Sequence, residues 1–221
     1  MAFYSFVEGP LLWIAFLTFI IGSLIRAALF LVVSNKKDKI IYQHFKLKYV
    51  LLTFARWLLP LNKDIFKNPV FTILGYIFHI CLLIVPVWFS GHIILWEESR
   101  FEWYWTPIPD GLANWMTLIF LAIALFFLLR RIFSANIRLI SGVADYILLI
   151  VTVLPFLTGY LLANGTLDNI GFIGDNMTLI HMLSGELMLI LIPFTKLSHF
   201  ILFFFSRVST AIEFGRREYS I

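Results

Sequence analysis

The chain has 221 residues, of which 61% are hydrophobic and only 14% are charged, and its formal net charge is +4. A water-soluble domain of this length has no interior large enough for so much apolar surface, whereas a membrane protein exposes that surface to lipid. The composition excludes a soluble globular protein and predicts an integral membrane protein, in which the basic residues indicate topology and not nucleic-acid binding.

Five segments are long and apolar enough to cross the hydrocarbon core of a bilayer, which takes about 20 helical residues. They predict a single all-α domain over residues 1–221, a five-helix bundle with helices at about 10–33, 70–96, 111–133, 140–163 and 177–205. No cationic start or cleavage site precedes the first helix, so we expect it to be retained. A shorter stretch at about 49–61, flanked by lysines, is expected to lie along the inner membrane surface or to form a docking surface.

The loops differ in charge, and this difference predicts the orientation. The first and third connections and the C-terminal tail are rich in Lys and Arg, whereas the other two loops hold one basic residue, Arg100. Because basic loops face the cytoplasm, the N-terminus is expected outside and the C-terminus in the cytoplasm. Aromatic residues around the outer loop are expected to anchor it at the headgroups, or to shape a quinone pocket or a partner contact: Trp96, Trp103, Tyr104, Trp105 and Trp115.

Four histidines lie at membrane depth, two in the second segment and two in the fifth. His181 and His199 are eighteen residues apart, which in an ideal helix is about five turns, so both are predicted on one face, roughly 27 Å apart. The two helices run in opposite directions, and their histidines match in depth. His79 pairs with His199 near the cytoplasmic surface, and His92 pairs with His181 near the outer surface. Ionisable side chains in a membrane are costly and are functional candidates by default.

Two imidazole pairs at two depths predict two bis-histidine haems. Iron held in this way has no open coordination position, which favours electron transfer over oxygen chemistry. The alternative for each histidine is a hydrogen bond to a backbone carbonyl or to a Ser or Thr hydroxyl. His92 lies thirteen residues after His79, on a different face of an ideal helix, but a kink at Pro86 can restore a common face. His44, in the lysine-rich connection, is assigned no role.

The stretch HMLSGELMLILIPFTKLSHF, which begins at His181, resembles the last helix of the γ subunit of respiratory nitrate reductase. In that family a histidine pair brackets a Pro-Phe-Ser/Thr-Lys/Arg-Leu-x-His block. FHICLL, from Phe78, resembles the family's second helix, and ADYILLIVTVLPFLTGYLLA, from Ala144, resembles its fourth, so the resemblance covers most of the chain. The family typically places its second-helix histidines ten residues apart. This chain has Phe89 at that position, and His92 is the proposed substitute.

The resemblance implies a two-haem cytochrome b subunit of the bacterial inner membrane. Such a subunit passes electrons between an outer quinol or menaquinone site and an iron–sulfur subunit on the cytoplasmic face. His79 and His199 would hold the inner haem, and His92 and His181 the outer one. The chain is also similar to cytochrome b subunits of the transmembrane multihaem cytochrome c complexes of sulfate-reducing bacteria. That similarity implies a periplasmic multihaem cytochrome c and other membrane subunits as partners, without nitrate reduction.

Further charged residues lie at membrane depth. Arg26 and Lys196 are near the cytoplasmic end, where they either pair with propionates of the inner haem or snorkel to the headgroups. Glu186 is expected to orient a ligand or a neighbouring helix, or to hydrogen-bond to Thr or Tyr. Its alternative role is that of proton acceptor in quinol oxidation. Asp145 is expected to pair with Arg26 or Lys196.

Two other functions stay open. A small membrane carrier whose histidines relay protons would need a polar binding site and broken helices near the midplane, where this sequence is mostly Leu, Ile and Phe. A haemless subunit that only anchors peripheral partners is the third hypothesis. The chain shows no nucleophile, acid–base pair or phosphate loop, and its one cysteine, Cys81, cannot form a cysteine-ligated iron–sulfur or zinc site. Partners would have to complete any reaction, including quinol oxidation or quinone reduction.

Overall fold

The computed structural model describes residues 2–37, 47–58 and 67–216, which form helices and connections without a strand. His44 and the end of the predicted 49–61 segment lie outside the described residues. The helices are Ala2–Phe6 (α1), Leu12–Lys37 (α2), Leu47–Leu58 (α3), Pro69–Trp88 (α4), Ser90–Glu97 (α5), Asp110–Phe133 (α6), Ala135–Leu139 (α7), Val143–Ala163 (α8), Gly171–Asp175 (α9), Met177–Leu191 (α10) and His199–Arg216 (α11). A π turn, Val7–Leu11, joins α1 to α2, and a 3-10 turn, Lys196–Ser198, precedes α11.

The described residues contain four helical stretches that are long and apolar enough to cross a membrane: Ala2–Lys36, Pro69–Glu97, Asp110–Phe133 and Val143–Ala163. A fifth span is present if the bent pair Met177–Leu191 and Lys196–Glu213 crosses as one. The chain is therefore a multi-pass membrane protein, and the all-helical prediction is confirmed for the described residues. The exact number of spans and the orientation of the termini stay predictions.

The second predicted helix, 70–96, is broken at Phe89. The Phe89 backbone is extended, with φ −70° and ψ 133°, so α4 ends before it and α5 begins after it. Pro86 weakens the helix here, because proline lacks the N–H that would bond to the Leu82 carbonyl and its ring crowds that carbonyl. The kink expected from Pro86 is thus a complete interruption of the helix, three residues later.

The connection between α5 and α6, residues 98–109 (the predicted outer loop), covers this break. The last carbonyls of α4 lose the donors that a continuous helix would supply, and buried carbonyls without donors are costly. The Trp105 indole donates to the Val87 carbonyl at 3.0 Å, and the Ile108 amide donates to the Trp88 carbonyl at 3.0 Å. Trp105, expected as an interfacial anchor, therefore has a defined acceptor and stabilises the interrupted helix.

The fifth predicted helix, 177–205, is also broken, which corrects the prediction of one continuous helix. The helices on either side of the break are bent by 73°. Pro193 lies in the break, two residues after α10 ends, and removes the N–H that would bond to the Leu189 carbonyl. His181 and His199 therefore do not lie on one continuous helix, the condition on which their predicted common face and spacing of roughly 27 Å depend.

The chain folds as two compact units, residues 1–67 with 185–221 and residues 68–184. In the second unit, α4, α6 and α8 pack through aromatic rings. Phe120 is fully buried, and its ring centroid lies 4.5 Å from that of Phe78 and 4.0 Å from that of Phe156. Phe78 precedes His79 in the sequence, so this core holds α4 at the level of its first histidine.

In the first unit, α2 packs closely on the break that precedes α11. A Cβ added to Gly22 would lie 2.7 Å from Pro193 Cβ, closer than carbon atoms approach, so this contact requires glycine. Arg26, one turn further along α2, donates to Ser198 Oγ at 3.2 Å. α3, the described part of the predicted 49–61 segment, packs on α11 through a small apolar cluster of Val50, Ala211 and Ile212.

Candidate functional site

His92 and His181 face each other in the second unit. Their ring centroids are 6.0 Å apart, and the angle between the ring planes is 2°. A metal ion bound by two histidines, with about 2 Å to each nitrogen, holds the imidazole centroids roughly 6 Å apart. The centroid distance is therefore compatible with a metal ion between the two rings. It also suits a direct offset stack, in which ring centroids lie about 4.5–7 Å apart.

The break at Phe89 positions His92. In a continuous helix the Pro86 carbonyl would accept from the backbone amide four residues later. Here the carbonyl lies 2.8 Å from His92 Nδ1, and because a carbonyl only accepts, Nδ1 is the donor. The Phe89 ring packs edge-to-face on the His92 ring at a centroid distance of 5.6 Å. Phe89 thus supports the histidine three residues later.

Two small residues of α8, Thr158 and Gly159, lie against the His181 ring, and Ser184 on α10 contacts Thr158. Thr158 Oγ1 lies 3.2 Å from His181 Nδ1 and 3.2 Å from Ser184 Oγ. A Cβ added to Gly159 would lie 2.9 Å from His181 Cε1, so glycine gives the ring its space. These residues were not predicted from the sequence. The signal that could have identified them is the Thr158–Gly159 pair, two small residues among large side chains in the second half of α8.

His79 and His199 lie in different units, and each is held locally. His79 Nδ1 donates to the Gly75 carbonyl, one turn earlier on α4, at 2.7 Å. His199 Nδ1 donates to the Lys196 carbonyl at 2.8 Å, across the 3-10 turn. The pairing of His79 with His199 stays a prediction.

All four predicted ligands share one feature, an oxygen close to Nδ1. A neutral imidazole that donates from Nδ1 carries its lone pair on Nε2, which is then the atom that can bind a metal. A histidine that merely forms a hydrogen bond has the same contact, and metal-binding histidines almost always have it as well. The additional feature, which a simple hydrogen bond does not require, is that His92 and His181 face each other.

The predicted basic residues lie beside His199. Arg26 bonds to the hydroxyl of Ser198, the residue immediately before His199. Lys196 begins the 3-10 turn and supplies the carbonyl that accepts from the His199 ring. Both residues therefore support the turn that carries His199. Their role towards haem propionates stays a prediction.

The two acidic residues at membrane depth have different surroundings. Glu186 is 3% exposed, and neither of its carboxylate oxygens has a hydrogen-bond partner among the described residues. The expected bond from Glu186 to Thr or Tyr is therefore not found in that part of the chain. Asp145 caps α8, because its Oδ2 accepts from the Gly142 amide at 2.9 Å. The ion pair expected for Asp145 stays a prediction.

No protein-family model and no solved structure matches this chain. A curated protein of Nitratidesulfovibrio vulgaris (strain Hildenborough) is 32% identical to it over 217 residues, which cover 96% of this chain and 93% of the relative. The chain belongs to the same family as that protein. The similarity covers both chains almost from end to end. The relative's name, "Protein", states no activity, ligand or partner, and therefore gives no function for this chain.

Proposed function

We propose that this chain is the membrane-embedded cytochrome b subunit of a respiratory complex and that it carries electrons across the bacterial inner membrane through two bis-histidine b haems. His92 and His181 hold the outer haem, and His79 and His199 hold the inner haem. The observation that supports this proposal most strongly is the parallel, facing arrangement of the His92 and His181 rings, with centroids 6.0 Å apart.

The residues near the histidines fit a flat macrocycle. Gly185 lies one turn after His181 on α10, and Gly75 lies one turn before His79 on α4. A Cβ added to either glycine would meet nothing within 4 Å. Residues four positions apart lie on the same helical face, so this open space is where a macrocycle bound to the histidine would extend. The porphyrin supplies four iron ligands, so two histidines complete the coordination, and the bound haem supplies a one-electron carrier closed to other ligands.

The chain's own residues keep the ligands in place. Each of the four rings donates from Nδ1 to an oxygen of the protein, which fixes the tautomer and the ring orientation. Three of these oxygens are backbone carbonyls close in sequence to their histidine, so the helices themselves orient the ligands. A rigid ligand set reorganises little when the charge on the iron changes, which suits electron transfer.

The difference in charge between the loops supports the proposed positions of the two haems relative to the two sides of the membrane. With the N-terminus outside, the outer haem lies near a quinol or menaquinone site, or near a periplasmic multihaem cytochrome c. The inner haem then lies near an iron–sulfur subunit bound on the cytoplasmic face, with other membrane subunits completing the complex. Arg26 and Lys196, which lie beside the turn that carries His199, would bind the propionates of the inner haem.

A proton-coupled carrier is the second candidate function, and two observations favour it. The helices are interrupted at Phe89 and around Pro193, and Glu186 is a buried carboxyl without a hydrogen-bond partner in the described part of the chain. Broken helices and buried ionisable residues are typical of secondary transporters. A carrier has no need of haem, and neither does a subunit that only anchors partners, so the haem content separates both from the electron conduit.

Single histidine substitutions test the proposed pairing. In the purified protein, His92→Ala and His181→Ala should each remove or convert the same haem, because each would take one of the two protein ligands from the same iron. His79→Ala and His199→Ala should affect the other haem. Redox titration of the α band distinguishes the two haems by their potentials, and His44→Ala is the control that keeps both. The outer pairing is wrong if the His92 and His181 variants alter different haems.

A further inference from the structure

Thr158 lies between a backbone carbonyl of its own helix and one nitrogen of the His181 ring. Its Oγ1 lies 2.8 Å from the Leu154 carbonyl and 3.2 Å from His181 Nδ1. A hydroxyl has one hydrogen and two lone pairs, whereas a carbonyl only accepts. Thr158 Oγ1 therefore donates its hydrogen to the Leu154 carbonyl, and a lone pair of Oγ1 lies towards His181 Nδ1.

Ser184, on α10, belongs to the same hydrogen-bond network. Its Oγ donates to the His181 carbonyl at 2.7 Å, so its hydrogen is also committed to a backbone acceptor. The contact between Thr158 and His181 then takes its hydrogen from His181 Nδ1. This leaves the lone pair of the His181 ring on Nε2.

His181 differs in this respect from the other three histidines. Their acceptors are the backbone carbonyls of Pro86, Gly75 and Lys196, which no side-chain substitution removes. The oxygen that lies against His181 Nδ1 belongs to a side chain. The Pro155 carbonyl, on the same helix as Thr158, is the alternative acceptor for the His181 ring.

We propose that Thr158 is a positioning residue that holds His181 in the Nδ1–H tautomer, directs Nε2 towards the iron and lowers the reduction potential of the outer haem. This inference rests on the proposed function. An acceptor at Nδ1 makes the imidazole a more basic ligand, and a more basic ligand stabilises ferric iron more than ferrous iron. Loss of the acceptor should therefore raise the potential of the outer haem and leave the inner haem unchanged.

Thr158→Val removes the acceptor and keeps the shape of the side chain. Loss of a residue that hydrogen-bonds to a metal ligand typically changes the metal affinity about 10–100-fold. A tenfold loss of preference for ferric iron raises a one-electron potential by about 59 mV. Thr158→Ala should shift the potential in the same direction, and Thr158→Ser, which keeps a hydroxyl, should restore it. Redox titration of the wild-type and variant proteins, purified with their haems, measures the shift.

Thr152→Val is the matched control. Thr152 lies on the same helix, is 6% exposed, as is Thr158, and donates to the Leu148 carbonyl at 2.8 Å. Its substitution removes an equivalent buried hydroxyl, so it should destabilise the protein to a similar extent without shifting either potential. An equal shift in both valine variants would overturn the inference, because the effect would then be general to buried hydroxyls.

The outcomes separate this inference from the proposed function. A wild-type protein without haem contradicts the proposed function, and the inference fails with it. A wild-type protein with both haems, together with an unchanged outer potential in Thr158→Val and Thr158→Ala, overturns only the inference. In that case the Pro155 carbonyl, and not Thr158, sets the tautomer of His181.

Discussion

At the scale of single residues, the four histidines differ in the group that accepts from their rings. His79, His92 and His199 each use a carbonyl three to six residues earlier in the chain, whereas His181 uses Thr158 on another helix. A contact between helices depends on how each helix is rotated about its axis. Hydropathy alone does not determine that rotation, which is why Thr158 was not predicted.

Gly159→Ala tests whether the His181 ring must keep its observed position. The added Cβ would lie 2.9 Å from His181 Cε1, so the ring has to move. Overpacking of this kind typically costs about 1–3 kcal/mol. We expect the outer haem to be lost or shifted in potential while the inner haem stays unchanged, as measured by redox titration.

Gly111→Ala is the control for this substitution, because its Cβ would meet nothing within 4 Å. It should leave both haems unchanged and should not lower the temperature of thermal unfolding. If Gly159→Ala also keeps both haems at wild-type potentials, the position of the His181 ring does not matter and the account of the outer site is wrong.

At the scale of helices, hydropathy predicts the spans well and proline predicts their interruptions poorly. The predicted 111–133 helix is observed as Asp110–Phe133, because a continuous apolar stretch is sufficient to define it. Pro155 lies inside α8 without ending it. By contrast, a break follows Pro86 three residues later, and Pro193 lies within a break. Whether a helix bends or breaks depends on what bonds to the carbonyls left without donors. At the first break, the bonding groups belong to a loop 18 residues away in the sequence.

Trp105→Phe tests how the outer loop supports the first break. The substitution removes the indole donor to the Val87 carbonyl, and one lost hydrogen bond costs about 0.5–1.5 kcal/mol. Because α5 carries His92, we expect a lower temperature of thermal unfolding together with a reduced content of the outer haem. Trp115→Phe is the control, since Trp115 is 67% exposed. Equal effects of the two variants would show that the indole bond does not hold α5 in place.

At the scale of the whole molecule, the chain is a multi-pass membrane protein made of helices in its described residues, and it shares its family with a relative of almost the same extent. Composition and hydropathy were sufficient for that level of prediction, because lipid permits only a few backbone structures. The meeting of His92 and His181 was predicted from matching depths along two helices. A kink at Pro86 was expected, but the complete break between α4 and α5 was not predicted, since it depends on bonds from residues 98–109.

A reduced-minus-oxidised spectrum of the purified protein, combined with a count of haem per chain, decides whether this chain binds two b haems. We expect a b-type α band and two haems per chain, both low-spin because two histidines would complete the coordination of each iron. A protein that is folded and helical but has no b-type band would show that the proposed function is wrong. It would leave the carrier and the haemless anchor as the functions to be tested.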